Sequence, residues 1–402
     1  IVDEAQWGID WLMKMNPSRN VMYNQLADDR DHINMRMPAL DSQYGRGYQR
    51  PVYFVSGEPQ QRGKLMNSTT GTSSISAKFA SVYALAYKLK VGSDYNLLYD
   101  KAMDAWLYES KKPGYTQTAS VKSPYIYAEQ NWVDDMELAH VQIQSVLLDG
   151  EAGYNGIQLA NAVSYAQKEP VSPWIIADTA AHYQWYPFVN AGHHELLRQL
   201  KAGVGFPGRN SGLKSTFVEN FGRYYDTISG YYKAGIEKVW SRAASNAFYR
   251  GVPFIWCSNN LTVAFAQQCY WYRTQTGDDR FAALEQANID WLFGCNPWGT
   301  SMVYGLPAWG DTPTDPHSAF THIKKYPIDG GLVDGPVYGN IFRNLIGITL
   351  NETDEYAAFQ SPLVVYHDDY GDYSTNEPTM DGTASLIYLL AAQEAAAKPV
   401  KK

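Results

Sequence analysis

Apolar residues recur at helical spacing through most of the long segments, and this limits the possible folds more than any other feature. Ile75, Phe79, Val82, Ala86 and Leu89 step by 4, 3, 4 and 3, which lays one apolar stripe along a helix over residues 73–90. The same spacing predicts helices at about 4–15, 94–110, 133–149, 156–167, 190–202, 256–276, 279–293 and 383–397. Pro and Gly punctuate the intervals, as at Pro51, Pro59, Gly63 and Gly71. Strand signals are confined to Val52-Tyr53-Phe54-Val55 and Met302-Val303-Tyr304. Many helices joined by unequal loops predict an all-α chain, an α/α toroid in which residues 1–402 form one domain.

The loops carry the chemistry. Residues 19–72 and 295–340 are long, poor in helical period, and filled with Trp, Tyr, His and Asp, which marks them as functional. The chain holds 12 Trp, 31 Tyr and 14 Phe against 33 Lys plus Arg, so it has ample material for a core. A net charge of −8 argues against a basic nucleic-acid footprint. No apolar run approaches the ~20 residues of a membrane span. The opening Ile1-Val2-Asp3 reads as the start of a segment of something longer.

Several motif fragments lead nowhere. Cys257, Cys269 and Cys295 are an odd set without a CxxC, so they form neither a disulfide framework nor a zinc site. Gly203-Val204-Gly205-Phe206-Pro207-Gly208 spells GxGxxG, but it follows a helix and contains Pro, so it reads as a helix end and turn. His194-Glu195-Leu196-Leu197-Arg198 lacks the second His of a zinc-protease helix. Asn67-Ser68-Thr69, Asn260-Leu261-Thr262 and Asn351-Glu352-Thr353 match the glycosylation tripeptide, which is common by chance.

Three acidic, aromatic clusters remain. The first is Asp28-Asp29-Arg30-Asp31-His32. The second runs from Asn296-Pro297-Trp298 to Pro316-His317. The third is Tyr366-His367-Asp368-Asp369-Tyr370-Gly371-Asp372-Tyr373-Ser374-Thr375-Asn376-Glu377. Carboxylates interleaved with aromatic rings suit sugar chemistry. Rings stack on pyranose C–H faces, acids bind hydroxyls, and a carboxyl with a raised pKa can protonate a leaving oxygen.

The third cluster resembles the C-terminal signature of glycoside hydrolase family nine, with Tyr366, Asp368, Tyr373, Glu377, Thr379, Thr383 and Ala384 at its spacing. Thr383 replaces the family's Asn. Asp372-Tyr373-Ser374-Thr375-Asn376-Glu377 is similar to the family's DYxxNE, and the resemblance implies that Glu377 is the general acid. The second cluster resembles the NPxxxSYVxGxG motif, and Asp31-His32 resembles the substrate loop. Trp256-Cys257-Ser258 stands where the family often has Trp-Gly-Ser. Trp7-Gly8-Ile9-Asp10-Trp11-Leu12 resembles the helix after the first catalytic motif. The likeness spans the chain in order and is strongest to a bacterial subgroup with an upstream immunoglobulin-like module.

The resemblance implies an (α/α)6 toroid without its first helix or helices, from a secreted, cell-surface or periplasmic bacterial endo-β-1,4-glucanase. It implies inverting hydrolysis, with His32, Trp256, His317, Tyr373 and Asp368 binding a β-glucan and no cofactor required. The family's Asp-Ala-Gly-Asp motif, which supplies the base, does not occur in residues 1–402, so the base is expected from an upstream segment of the same protein. Further departures are Ala319, Tyr370 and Gly382, where the family has Arg, Arg and an aromatic residue. A non-catalytic glucan-binding protein is the alternative. Calcium is a possible ligand at Asp134-Asp135, where a helix N-terminus also accounts for the acids.

Overall fold

The structure, a computed structural model, describes residues 1–26, 35–37, 51–62, 65–92, 94–119, 126–149, 157–177, 188–204 and 220–397. In chain order the elements are α1 (Val2–Met15), β1 (Tyr23–Leu26), β2 (Val52–Phe54), β3 (Gln61–Arg62), β4 (Leu65–Met66), α2 (Ser73–Leu89), α3 (Tyr95–Glu109), α4 (Val133–Asp149), α5 (Ile157–Ala166), α6 (Pro173–Ala177), α7 (Ala191–Val204), α8 (Phe221–Ala243), α9 (Ser258–Thr276), α10 (Ala282–Leu292), α11 (Ala319–Lys324), β5 (Leu332–Val333), β6 (Val337–Tyr338), α12 (Gly339–Phe342), β7 (Val364–Val365), β8 (Pro378–Thr379) and α13 (Met380–Ala397). Two compact units divide the chain. The first comprises Ile1–Asn34, Ser42–Pro170 and Asn190–Tyr231, and the second Met35–Asp41, Val171–Val189 and Tyr232–Lys402.

In the first unit the core is built by small residues. Ala77, Ala80 and Ala84 of α2 share one cluster with Leu98, Ala102 and Ala105 of α3 and with Met136, Ala139 and Ile143 of α4. Short side chains let helix backbones approach closely, so the stripe read from the sequence becomes a packed seam. The α2 chain reverses at Lys90, whose φ of 54° ends the helix in the left-handed region. The Asp94 side chain then accepts from Leu97 N–H and starts α3.

In the second unit α9 is buried on nearly every side, from Ser258 through Cys269. Two of its buried amides donate across the core: Asn259 Nδ2 to Val333 O at 2.9 Å, and Gln268 Nε2 to Ser172 Oγ at 2.8 Å. Gly277, at φ 76°, closes α9, and α10 folds back under an Arg273–Glu285 fork with bonds of 2.8 and 3.0 Å. The Arg250 guanidinium is buried between the rings of Phe254 and Trp291, 4.1 and 4.6 Å from their centroids.

The helices expected at 4–15, 73–90, 94–110, 133–149, 156–167 and 190–202, and those at 256–276, 279–293 and 383–397, all form. Two expectations are corrected. The 23-residue helix α8 lies where none was read. Its stripe of Ile228, Tyr232, Ile236, Val239 and Ala243 is present but diluted by Gly222, Gly230, Gly235 and the half-buried Tyr224, Tyr225 and Tyr231. Met302-Val303-Tyr304 makes no strand: Val303 forms an isolated bridge to Leu332. Short helix α11 interrupts the stretch 295–340 read as loop, and α12 begins at its end.

Candidate active site

All the described candidate residues of the site belong to the second unit. The β5–β8 ladder pairs Val333 with Pro378 and Leu332 with Thr379. One residue beyond, Asp334 N–H donates to Glu377 O at 2.9 Å and Gly335 N–H to Thr375 O at 3.0 Å. This fixes the backbone of Glu377 just ahead of α13.

The loop before it is held by Asp372. Its Oδ1 accepts from Ser374 N–H at 2.9 Å and from Ser374 Oγ at 2.6 Å. Its Oδ2 accepts from Thr375 Oγ1 at 2.8 Å and from His367 Nδ1 at 2.7 Å. These donors outweigh burial and hold the Asp372 carboxyl below its usual range.

Three rings gather beside Glu377. Trp256 and Tyr373 have centroids 5.7 Å apart at 31°, and His317 stands edge-on to Tyr373 at 6.2 Å. The Tyr373 hydroxyl donates to Ile346 O at 2.7 Å, fixing the ring. His317 is tied by its N–H to Asn376 O at 2.9 Å and by Nδ1 to Tyr370 O. All three rings are half-buried, and Glu377 is exposed. An accessible carboxyl crowded by protein loses part of its hydration, and this raises Glu377 above the usual carboxylate range. The charge of His317 acts in the opposite sense.

Of the sequence candidates, the structure therefore brings together Glu377, Trp256, His317 and Tyr373. Asp368 departs from the expectation of a substrate contact: its carboxylate braces the protein itself. It accepts from Thr314 N–H at 2.6 Å, Thr314 Oγ1 at 3.0 Å, Asp315 N–H at 3.2 Å and Asn376 Nδ2 at 3.0 Å. His32, with Asp28, Asp29 and Asp31, lies outside the described residues.

Cys257, which the sequence did not mark as a site residue, and Asp334, which it did not single out, stand behind Glu377. Cys257 Sγ donates to Asp334 Oδ1 at 3.2 Å, while Asp334 Oδ2 is buried without a hydrogen-bond partner. Burial first, then the neighbouring Glu377 charge, pushes Asp334 well above its usual range, and burial likewise raises the Cys257 thiol. The signal in the sequence was Leu332-Val333-Asp334-Gly335-Pro336, an acid set in a Gly-Pro turn between apolar residues.

The acids suggested for calcium are already engaged. Lys78 Nζ lies 2.6 Å from both Asp135 and Glu129, and Asn131 Nδ2 donates to Asp134 at 2.9 Å. The ammonium group sits where a cation would bind. Among the described residues no cluster of three or more His, Cys, Asp or Glu is placed to hold a metal.

Solved structures share this fold. A thermostable endoglucanase from Alicyclobacillus acidocaldarius superposes with a TM-score of 0.65 at 18% identity, covering 96% of this chain and 63% of its own. The endoglucanase of the termite Nasutitermes takasagoensis gives 0.62 at 16% identity, covering 99% of this chain and 79% of its own. The protein is of the all-α (α/α)6 class, as the sequence led us to expect. Its sequence matches the glycosyl hydrolase family 9 profile over residues 1–390, and the chain belongs to that family. Endoglucanase C of Cellulomonas fimi is 24% identical over 433 residues, covering 100% of this chain and 33% of its own length. The chain thus spans about a third of that curated relative.

Proposed function

We propose that this protein hydrolyses β-1,4-glucosidic bonds in cellulose or a related β-glucan with inversion at the anomeric carbon, and that Glu377 is the general acid. The observation that carries the reading is an accessible carboxyl whose pKa is raised, set beside His317 and a Trp256–Tyr373 ring pair. A carboxyl whose pKa is raised holds its proton to higher pH and can give it to the glycosidic oxygen as the bond breaks. The rings offer faces for the sugar C–H surfaces, and His317 and His32 contact hydroxyls. Asp368 takes a positioning role, holding Asn376 next to the acid. The endoglucanases among the relatives support this substrate class.

Inversion also needs a base, roughly 6.5–9.5 Å from the acid, to activate water. In this reading an Asp ahead of Ile1 in the intact polypeptide supplies it, and the enzyme is a secreted bacterial one that needs no cofactor. The test is Glu377→Gln in the intact enzyme. Hydrolysis of unactivated glucans should be lost with binding nearly unchanged, whereas wild-type turnover would overturn the assignment. Residues 1–402 expressed alone should release no reducing ends beside the longer polypeptide. Equal activity would move the base into the chain, with Asp28, Asp29 and Asp31 the first to mutate. Binding without turnover in both would favour a non-catalytic glucan binder.

A further inference from the structure

A pocket lies wholly within the first unit, between the end of α3, the first half of α4 and the end of α5. Its volume is about 380 Å³, at the small end of the ~300–1,000 Å³ of small-molecule sites, with room for one sugar-sized ring. Its rim is exposed, at Ser164 and Lys168, and its floor is buried, at Met136, Glu109 and His140.

The floor is chemically unfinished. Glu109 is 1% exposed and its Oε2 has no hydrogen-bond partner, while Oε1 lies 3.6 Å from His140 Nε2. A buried polar atom left unpaired costs about 1–3 kcal/mol, and Glu109, which carries one, is among the residues that line the pocket. Burial pushes Glu109 up to about 9 and lowers His140, so near neutral pH both groups are uncharged. His140 Nδ1 donates to Gln158 Oε1 at 2.6 Å, which leaves Nε2 as an acceptor. A carboxylic acid that donates stands beside an imidazole that accepts. One hydroxyl, which both accepts and donates, satisfies the two together.

The walls are aromatic. Tyr165 stacks on the His140 ring at 5.5 Å and 18°, and Trp106 stands edge-on to it at 6.3 Å and 84°. Lys168 Nζ sits over Tyr165, 4.5 Å from its centroid. With a neutral floor and ring-lined walls, the site favours an uncharged polyol with apolar C–H faces over an anion or a cation.

We propose that this pocket is a second sugar-binding site, which takes one neutral hexopyranose ring of a glucan end with a hydroxyl seated between Glu109 and His140. It does no chemistry and holds substrate on the protein. The inference stands on the pocket's own residues and does not depend on the role of Glu377.

The test uses the intact protein carrying Glu377→Gln, so that cellotetraose persists, with hydrogen exchange read segment by segment. Cellotetraose should protect residues 104–113 and 157–168. Trp106→Ala should weaken that protection about tenfold or more in ligand concentration, with protection at 372–377 unchanged. Should Trp106→Ala fail to fold, Ser164→Trp blocks the mouth from an exposed position and should have the same effect. Protection at 372–377 without protection at the pocket overturns this proposal and leaves the catalytic reading standing. Protection at the pocket alone supports this proposal and counts against the catalytic reading. Protection at neither overturns both.

Discussion

The Cys257 thiol donates to Oδ1 of Asp334 at 3.2 Å, and burial pushes the pKa of both groups up. Cys257 makes this contact from φ 55°, a left-handed conformation that costs a non-glycine residue roughly 1–2 kcal/mol. Cys257→Ala should keep that strain and lose the bond, and be less stable by about 1–3 kcal/mol. Cys257→Gly should recover roughly 1–2 kcal/mol relative to Ala. Denaturant midpoints test the order, and an alanine variant at or above the glycine variant would refute the strain argument.

The three thiols should differ in reactivity. Cys295 is exposed and Cys269 is buried. Cys257 has its thiolate disfavoured by burial and by Asp334. A thiol reagent should modify one group quickly in the native protein and the other two only on unfolding. A second fast thiol would show that the Cys257–Asp334 pair is open.

His317 opposes the burial that raises Glu377. Removing its charge by His317→Ala should let the Glu377 pKa climb further. If Glu377 is the acid, the basic limb of the kcat/KM profile of the intact enzyme should move to higher pH, along with a higher KM. A limb that moves to lower pH contradicts this electrostatic order.

Glu109 gives stability a pH dependence of known sign. Its folded pKa is raised from 4.5 to about 9, so the native state holds a proton that the unfolded chain releases. Its contribution is complete below about pH 4.5 and is lost as pH rises toward 9, with a slope of about 1.4 kcal/mol per pH unit between. Glu109→Gln should flatten this slope in unfolding measurements at a series of pH values. An unchanged slope would place the effect elsewhere.

Gly335 has φ 87°, and a Cβ there would lie 2.3 Å from Asn259 Cγ. Gly335→Ala adds backbone strain to that clash and should cost about 3 kcal/mol or more. It should also disturb the neighbouring Asp334–Glu377 backbone bond. Loss of less than ~1 kcal/mol in a denaturation curve would mean that the turn relaxes freely.

Helices such as α2 and α9 were legible because period and punctuation are local properties: Ile75 to Leu89 repeat at a spacing that only a helix turns to one side. The run from Tyr366 to Glu377 was legible because its chemistry is contiguous, and with it came the family. Helix α8 was missed because its tyrosines and glycines blur a stripe that only burial makes plain. What remained belonged to tertiary structure. Cys257 and Asp334 are 77 positions apart, and no spacing rule joins them until a ladder seats Asp334 against Glu377. Asp368 looked like a ligand for sugar until four donors were found on its carboxylate. Glu109 and His140 sit on separate helices, and the pocket between them exists only where α3, α4 and α5 close over it. A sequence records which groups are available. Whether a carboxyl is ionised, satisfied or left waiting depends on the solvent and donors around it, and folding alone sets those.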